Sequence, residues 1–117
     1  MTDAALAGMR VVDLSQVMAG PYCTMLLADL GAEVIKVEPP DGDSTRQMAG
    51  AVGRESPGFW AVNRNKRGIA VNLKSTDGVA IVQRLAAAAD VLVENFRPGV
   101  MASLGLDYVS LAARNTG

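Results

Sequence analysis

Short runs of β-branched and aliphatic residues alternate along this chain with polar loops and amphipathic stretches. Residues 8–14 (GMRVVDL), 33–37 (EVIKV), 68–73 (GIAVNL) and 90–94 (DVLVE) have the length and β-branched content of buried strands. Between the first two, residues 22–30 read as a helix that follows Pro21 at its first position and stops at Gly31. Residues 76–89 follow Ser75, a good N-cap, and place Val79, Val82, Leu85 and Ala86 on one face. A helical turn is expected over 58–63 around Trp60. Another is expected from Arg97–Pro98–Gly99 to Leu104, and a last helix over 108–114 with Asp107 as its cap. Residues 41–57 are polar and glycine-rich, long for a plain connector, and so are expected to be functional or poorly ordered.

Strands alternating with helices at this spacing predict an α/β fold, a Rossmann-like parallel sheet with flanking helices and right-handed crossovers. Ligands of such sheets sit outside the carboxyl ends of the strands. Here those ends are residues 15–20, 38–46, 72–74 and 95–99.

Composition narrows the chemistry. The chain has 117 residues, enough for one domain. Half of them are hydrophobic but only 4% aromatic, so the core must be aliphatic. A mean hydropathy of +0.20 fits either a tight parallel sheet or a face covered by further sequence. Eleven basic and twelve acidic residues leave a net charge of -1, which gives no footprint for nucleic acid. There is no histidine, so imidazole catalysis and histidine metal sites are excluded within the chain, and no metal is expected. The lone Cys23 forms no intrachain disulfide, which fits a reducing, cytoplasmic setting. No apolar run reaches the ~18 residues of a membrane span, and the N-terminus lacks a signal-peptide pattern.

A βαβ start with an acid closing the second strand raises dinucleotide binding, with Glu38 on a ribose. That reading needs G-x-G-x-x-G in the first turn so that backbone can approach a pyrophosphate. The turn here is SQVMAGP, with one glycine, so Glu38 reads as structural. No Walker sequence occurs either.

Three segments carry a more specific signal: GMRVVDLSQVMAGPYCTMLLADLGAEVIKVEPPDGDSTR, NRNKRGIAVNLKSTDG and ADVLVENFRPGVMASLGLDY. In order and spacing they resemble the N-terminal region of family III CoA-transferases, which include formyl-CoA transferase, carnitine CoA-transferase and α-methylacyl-CoA racemase relatives. The resemblance implies that residues 1–117 are the CoA-binding portion of a larger, two-domain protein, truncated relative to an interlocked homodimer. It implies acyl-CoA and a carboxylic acid acceptor as substrates. In the transferase branch an aspartate attacks the acyl-CoA to give an acyl-aspartyl intermediate. In the racemase branch a His and an Asp remove a proton beside the thioester. The resemblance places both sets beyond residue 117, so the chain alone is expected to be inactive. A third reading is a non-catalytic CoA-binding module, or a subunit completed by another chain.

What carries over residue by residue is part of a CoA site: Val17, Met18 and Ala19 in the first loop, Val71, Asn72, Leu73 and Lys74 after the third strand, and Asn95, Phe96 and Arg97 after the fourth. Lys74 and Arg97 suit the phosphates of CoA, and Ala19 and Gly20 leave room for a pantetheine arm. Three positions depart from well-known members: Met18 replaces a Gln, Pro39 an Arg and Ser103 an Arg. Arg46 or Arg97 is the candidate replacement. The blander expectations are that Arg64, Lys66 and Arg67 form a solvated face, that Met18 and Met25 pack, that Trp60 lies in the core or at a domain interface, that Cys23 is a small buried hydrophobe, and that Asp13 is structural.

Overall fold

The computed structural model describes residues 3–117. Four strands, β1 (Arg10–Asp13), β2 (Glu33–Glu38), β3 (Arg67–Ala70) and β4 (Val91–Val93), form one sheet in the order β3-β2-β1-β4, all neighbours parallel. The helices are α1 (Ala19–Asp29), α2 (Pro57–Asn63), α3 (Thr76–Ala87), α4 (Val100–Ser103) and α5 (Tyr108–Ala112), with a 3-10 turn over Ser44–Gln47. The expected α/β parallel sheet with flanking helices is what forms. The chain steps outward from β1 to β2 to β3 and then returns to the other side of β1, so the topological switch lies between β1 and β4.

Alternation along the strands sends side chains to two different layers. Val12, Leu14, Val37 and Val71 meet Val82 of α3, Met101 of α4 and Leu106 on one face. Val11 and Val34 meet Ala28 of α1 and Ala32 on the other. Burial on both faces accounts for the apolar strands. On the α1 face the apolar stripe turns polar at its carboxyl end, where Asp13 and Lys36 lie side by side in register.

Several boundaries move for physical reasons. The third strand stops at Ala70 rather than residue 73, because β2 ends at Glu38 and the next amide that would face β3 belongs to Pro40, which has no N–H with which to extend the ladder. The last rung is Val71 N–H to Glu38 O at 2.8 Å. α1 starts at Ala19, earlier than expected, so Pro21 sits inside the first turn, where a missing N–H costs no helical bond. Ser75 caps α3 as expected, accepting Gly78 N–H at 3.0 Å. Asp107 does not cap α5 through its side chain; its carboxylate takes the Ser110 hydroxyl instead.

The 41–57 segment is tied down rather than loose. Asp43 caps the 3-10 turn, and Arg46 forks onto Glu38 with Nε–Oε2 and Nη2–Oε1 both at 2.8 Å. The Arg46 guanidinium also lies 3.7 Å above the Phe59 ring. Trp60 is 61% exposed, with its indole N–H on Glu55, so it is no core residue. Cys23 is exposed as well, on the outer face of α1. Met25 is buried as expected, but Met18 is 55% exposed. Among the described residues, no helix is long and apolar enough to cross a membrane.

Candidate functional site

Two hollows compete for a ligand. The larger, about 640 Å3, runs along the unpaired edge of β4 beside α5. Its carboxylates are Asp90, Glu94 and Asp107, with no lysine or arginine in the lining, which is the wrong sign for a phosphate-bearing ligand. The smaller, about 410 Å3, opens at the carboxyl ends of the strands. Leu14, Val37, Val71, Phe96, Val100 and Leu104 give it an apolar floor; Pro39, Pro40 and Asp41 form one wall, and Lys74 stands on the rim. An apolar groove with a few polar groups at a sheet's carboxyl edge is the usual form of a small-molecule site.

Of the ten residues singled out from the sequence, Val71, Asn72, Leu73, Lys74 and Phe96 line this groove. Val17, Met18, Ala19, Asn95 and Arg97 do not; they surround it on the adjoining loops and are all exposed. Asn72 shapes the turn that presents Lys74, since its Oδ1 accepts Lys74 N–H at 3.0 Å. Gly78 permits that turn: a Cβ there would overlap the Asn72 carbonyl. Neither Lys74 nor Arg97 pairs with a carboxylate among the described residues.

Asn95 is committed within the protein. Its Oδ1 accepts Gln16 N–H at 2.9 Å and its Nδ2 donates to Gln16 O at 2.7 Å. Its side chain thus staples the β1 loop to the end of β4 across the switch point. One N–H of Nδ2 and one lone pair of Oδ1 are left over on this exposed side chain.

Beyond Gln16 the loop is strained. Val17 takes φ 72, a conformation rare for a β-branched residue. Met18, the N-cap of α1, offers no side-chain cap. With no side-chain cap and Pro21 in the first turn, Ala19 and Gly20 carry the N–H groups of a helix start that favours negative charge. Gly20 is fixed by packing, because a Cβ there would fall inside the Ser15 side chain.

Beneath the loop lies a layer of buried charge. Asp13 is fully buried; its carboxylate accepts Ser15 N–H at 2.9 Å, the Ser15 hydroxyl, the Thr24 hydroxyl at 2.6 Å and Lys66 Nζ at 2.9 Å. Lys66 fills its other two donors with Pro21 O at 2.9 Å and Asn63 Oδ1 at 2.8 Å. Lys36, 2% exposed, donates to Ser15 O at 3.0 Å and stands 2.9 Å from Asp43 Oδ2. Burial pushes the Asp13 and Asp43 carboxyls up, but hydrogen bonds and the lysine charges more than offset it and hold both below the ordinary value. Burial pulls Lys66 down from the usual lysine value, partly countered by Asp13.

These buried charges correct the sequence reading. Arg64 and Arg67 are exposed and pair with Asp29 and Glu33, as a solvated face would. Lys66 belongs to neither a solvated face nor a phosphate patch. Arg46, one candidate for a phosphate partner, is spent on Glu38 and Glu55. Glu38 is structural, as expected. The available signal was Lys36 itself: a lone charge between Ile35 and Val37 in a strand buried on both faces must find a partner inside. Among the described residues no three His, Cys, Asp or Glu side chains gather as a metal centre requires.

The sequence and fold are shared with known proteins. The chain is 53% identical over 105 residues to the human (Homo sapiens) succinyl-CoA:glutarate CoA-transferase, covering 88% of this chain and 24% of that protein. It is 50% identical over 109 residues to the acetyl-CoA:oxalate CoA-transferase of Acetobacter aceti, covering 92% and 28%. The crystal structure of a CAIB/BAIF family protein from Brucella suis superposes with a TM-score of 0.92 at 44% identity, over 97% of this chain and 32% of that one. The chain thus spans about a quarter to a third of the length of these relatives. The profile described as CoA-transferase family III matches residues 6–117, and the chain belongs to that family.

Proposed function

We propose that residues 1–117 form the CoA-holding portion of an enzyme that moves CoA from an acyl-CoA thioester to a carboxylic acid acceptor. The observation that carries this reading is the groove at the strand ends, where Val71, Leu73 and Phe96 supply an apolar channel and the exposed Lys74 a cation at the rim. A pantetheine arm fits the channel, and phosphates fit Lys74, Arg97 and the N–H groups at the start of α1. The relatives carry CoA-transferase in their names, which favours transfer over racemisation.

The chemical step we propose is covalent catalysis by a carboxylate. An aspartate attacks the thioester carbonyl, the C–S bond breaks, and CoA leaves as its thiolate from an acyl-aspartyl anhydride. The thiolate then attacks the aspartyl carbonyl and releases the donor carboxylate, leaving an aspartyl-CoA thioester; the acceptor carboxylate attacks that thioester, freeing the thiolate and forming a second mixed anhydride, and the thiolate attacks the acceptor carbonyl to give the new acyl-CoA and the free aspartate. Two carboxylates line the groove, Glu38 and the exposed Asp41, and the resemblance matches neither to the family's nucleophile. Glu38 is held by Arg46 and by Asp43 N–H at 2.8 Å. Asp13 is buried against Lys66. The nucleophile in this reading lies outside residues 1–117, and the catalytic unit is a cytoplasmic, interlocked homodimer of the longer protein.

The test is an exchange assay on the purified 117-residue chain with succinyl-CoA or acetyl-CoA and a dicarboxylate acceptor. No turnover is expected, together with measurable binding of CoA. Turnover by the pure chain would overturn the division between holding and catalysis.

A further inference from the structure

We propose that Lys36 is a positioning residue that locks the two walls of the CoA groove to each other; this rests on the groove being the CoA site. One wall is the β1 loop, whose Leu14 and Gln16 line the groove; the other is the segment Pro39, Pro40 and Asp41. Ladder bonds stop at the foot of each wall, with Leu14 N–H on Val93 O and Val71 N–H on Glu38 O, both at 2.8 Å. Lys36 reaches both from below. Its Nζ donates to Ser15 O at 3.0 Å on the loop side and lies 2.9 Å from Asp43 Oδ2 on the other.

Asp43 has no alternative partner for that oxygen. Its Oδ1 accepts Thr45 N–H at 2.9 Å and the Thr45 hydroxyl at 2.7 Å, whereas its buried Oδ2 makes no well-angled hydrogen bond and rests on the Lys36 charge. Asp43 N–H in turn holds Glu38 Oε2 at 2.8 Å, and Gly42 N–H bonds Pro39 O at 2.8 Å, which closes the wall into a loop. On the other side Ser15 is gripped at every polar atom: N–H and hydroxyl by Asp13, carbonyl by Lys36. A buried ammonium is a costly means of joining two loops if stability alone is the end. Its result here is that the loop carrying Val17 and Met18 and the Pro39–Asp41 wall move as one body.

The test separates positioning from stability. In Lys36→Met with Asp43→Asn both charges leave together, and the Asn keeps an acceptor for Thr45 N–H. Titration of the folded variant with CoA is expected to show at least about tenfold weaker binding than the parent chain, with a thermal midpoint equal or higher. Affinity within about twofold of the parent overturns the proposal. If the parent chain itself binds no CoA, the reading of the groove fails and the role of Lys36 fails with it. Should the variant not fold, amide hydrogen exchange on the parent chain decides: CoA is expected to protect residues 16–19 and 41–45 together, and protection of one segment alone overturns the coupling.

Discussion

Lys66 Nζ lies 2.9 Å from Asp13 Oδ2, with the two side chains 2% and 0% exposed, so a salt bridge buried from water joins the start of β3 to the end of β1. Removing one partner of such a pair strands the other charge in a dry site. Lys66→Met is therefore expected to lower unfolding free energy by about 3–5 kcal/mol, whereas Lys66→Met with Asp13→Asn is expected to recover much of that loss. Urea denaturation of the two variants beside the parent measures both numbers. Equal stability of Lys66→Met and the parent would mean that the pair is not formed.

The same layer sets the response to acid. Asp13, Asp43 and Glu38 all have carboxyls held below their ordinary values of 3.8, 3.8 and 4.5. A carboxyl depressed in the folded state contributes stability above its unfolded value and loses it as pH falls through the folded one. Stability from these groups is thus expected to be level above about pH 5 and to fall progressively below about pH 4. A pH series of thermal midpoints tests this, and Asp43→Asn is expected to flatten the acid limb. A series in which stability rises on acidification contradicts the sign.

Two glycines are expected to be irreplaceable for different reasons. Gly20→Ala drives a methyl into Ser15, which is already fixed by Asp13 and Lys36. The expected cost is about 1–3 kcal/mol of stability, with loss of CoA binding because the β1 loop must shift. Gly78→Ala drives a methyl into the Asn72 carbonyl, a backbone atom with no rotamer to yield, and displaces the turn that carries Lys74. Chemical denaturation and CoA titration on each variant check the pair. A Gly20→Ala chain of parent stability and parent affinity would refute the close packing at Ser15.

Legibility in the sequence followed the physics of each signal. Strand runs and the Ser75 cap are local, and they were readable because the residues that decide them are adjacent. The Val71–Lys74 end of the groove was readable through its resemblance to a family motif. The end of β3 depended on Pro40, just past the neighbouring strand, a constraint invisible within GIAVNL itself. Asn95 was readable as a site residue but not as a staple, since its partner Gln16 lies 79 positions away. Lys66 looked solvated because it stands between Arg64 and Arg67, which are; only the packing of α2 against α1 carries it inward to Asp13. Cys23 looked buried by residue type and Trp60 fitted either a core or a domain interface, yet Cys23 is exposed and Trp60 lies outside the core.

Calorimetric titration of the folded 117-residue chain with CoA, run beside Lys74→Ala, decides whether the groove holds the coenzyme. Lys74 is exposed and pairs with no carboxylate among the described residues, so its removal is expected to change stability by no more than about 0.5 kcal/mol. The expected result is one CoA per chain, with affinity about tenfold weaker in Lys74→Ala, a factor equal to about 1.4 kcal/mol, and weaker at higher salt in the parent. A folded parent chain that gives no heat with CoA, or a Lys74→Ala chain that binds as tightly as the parent, would contradict it.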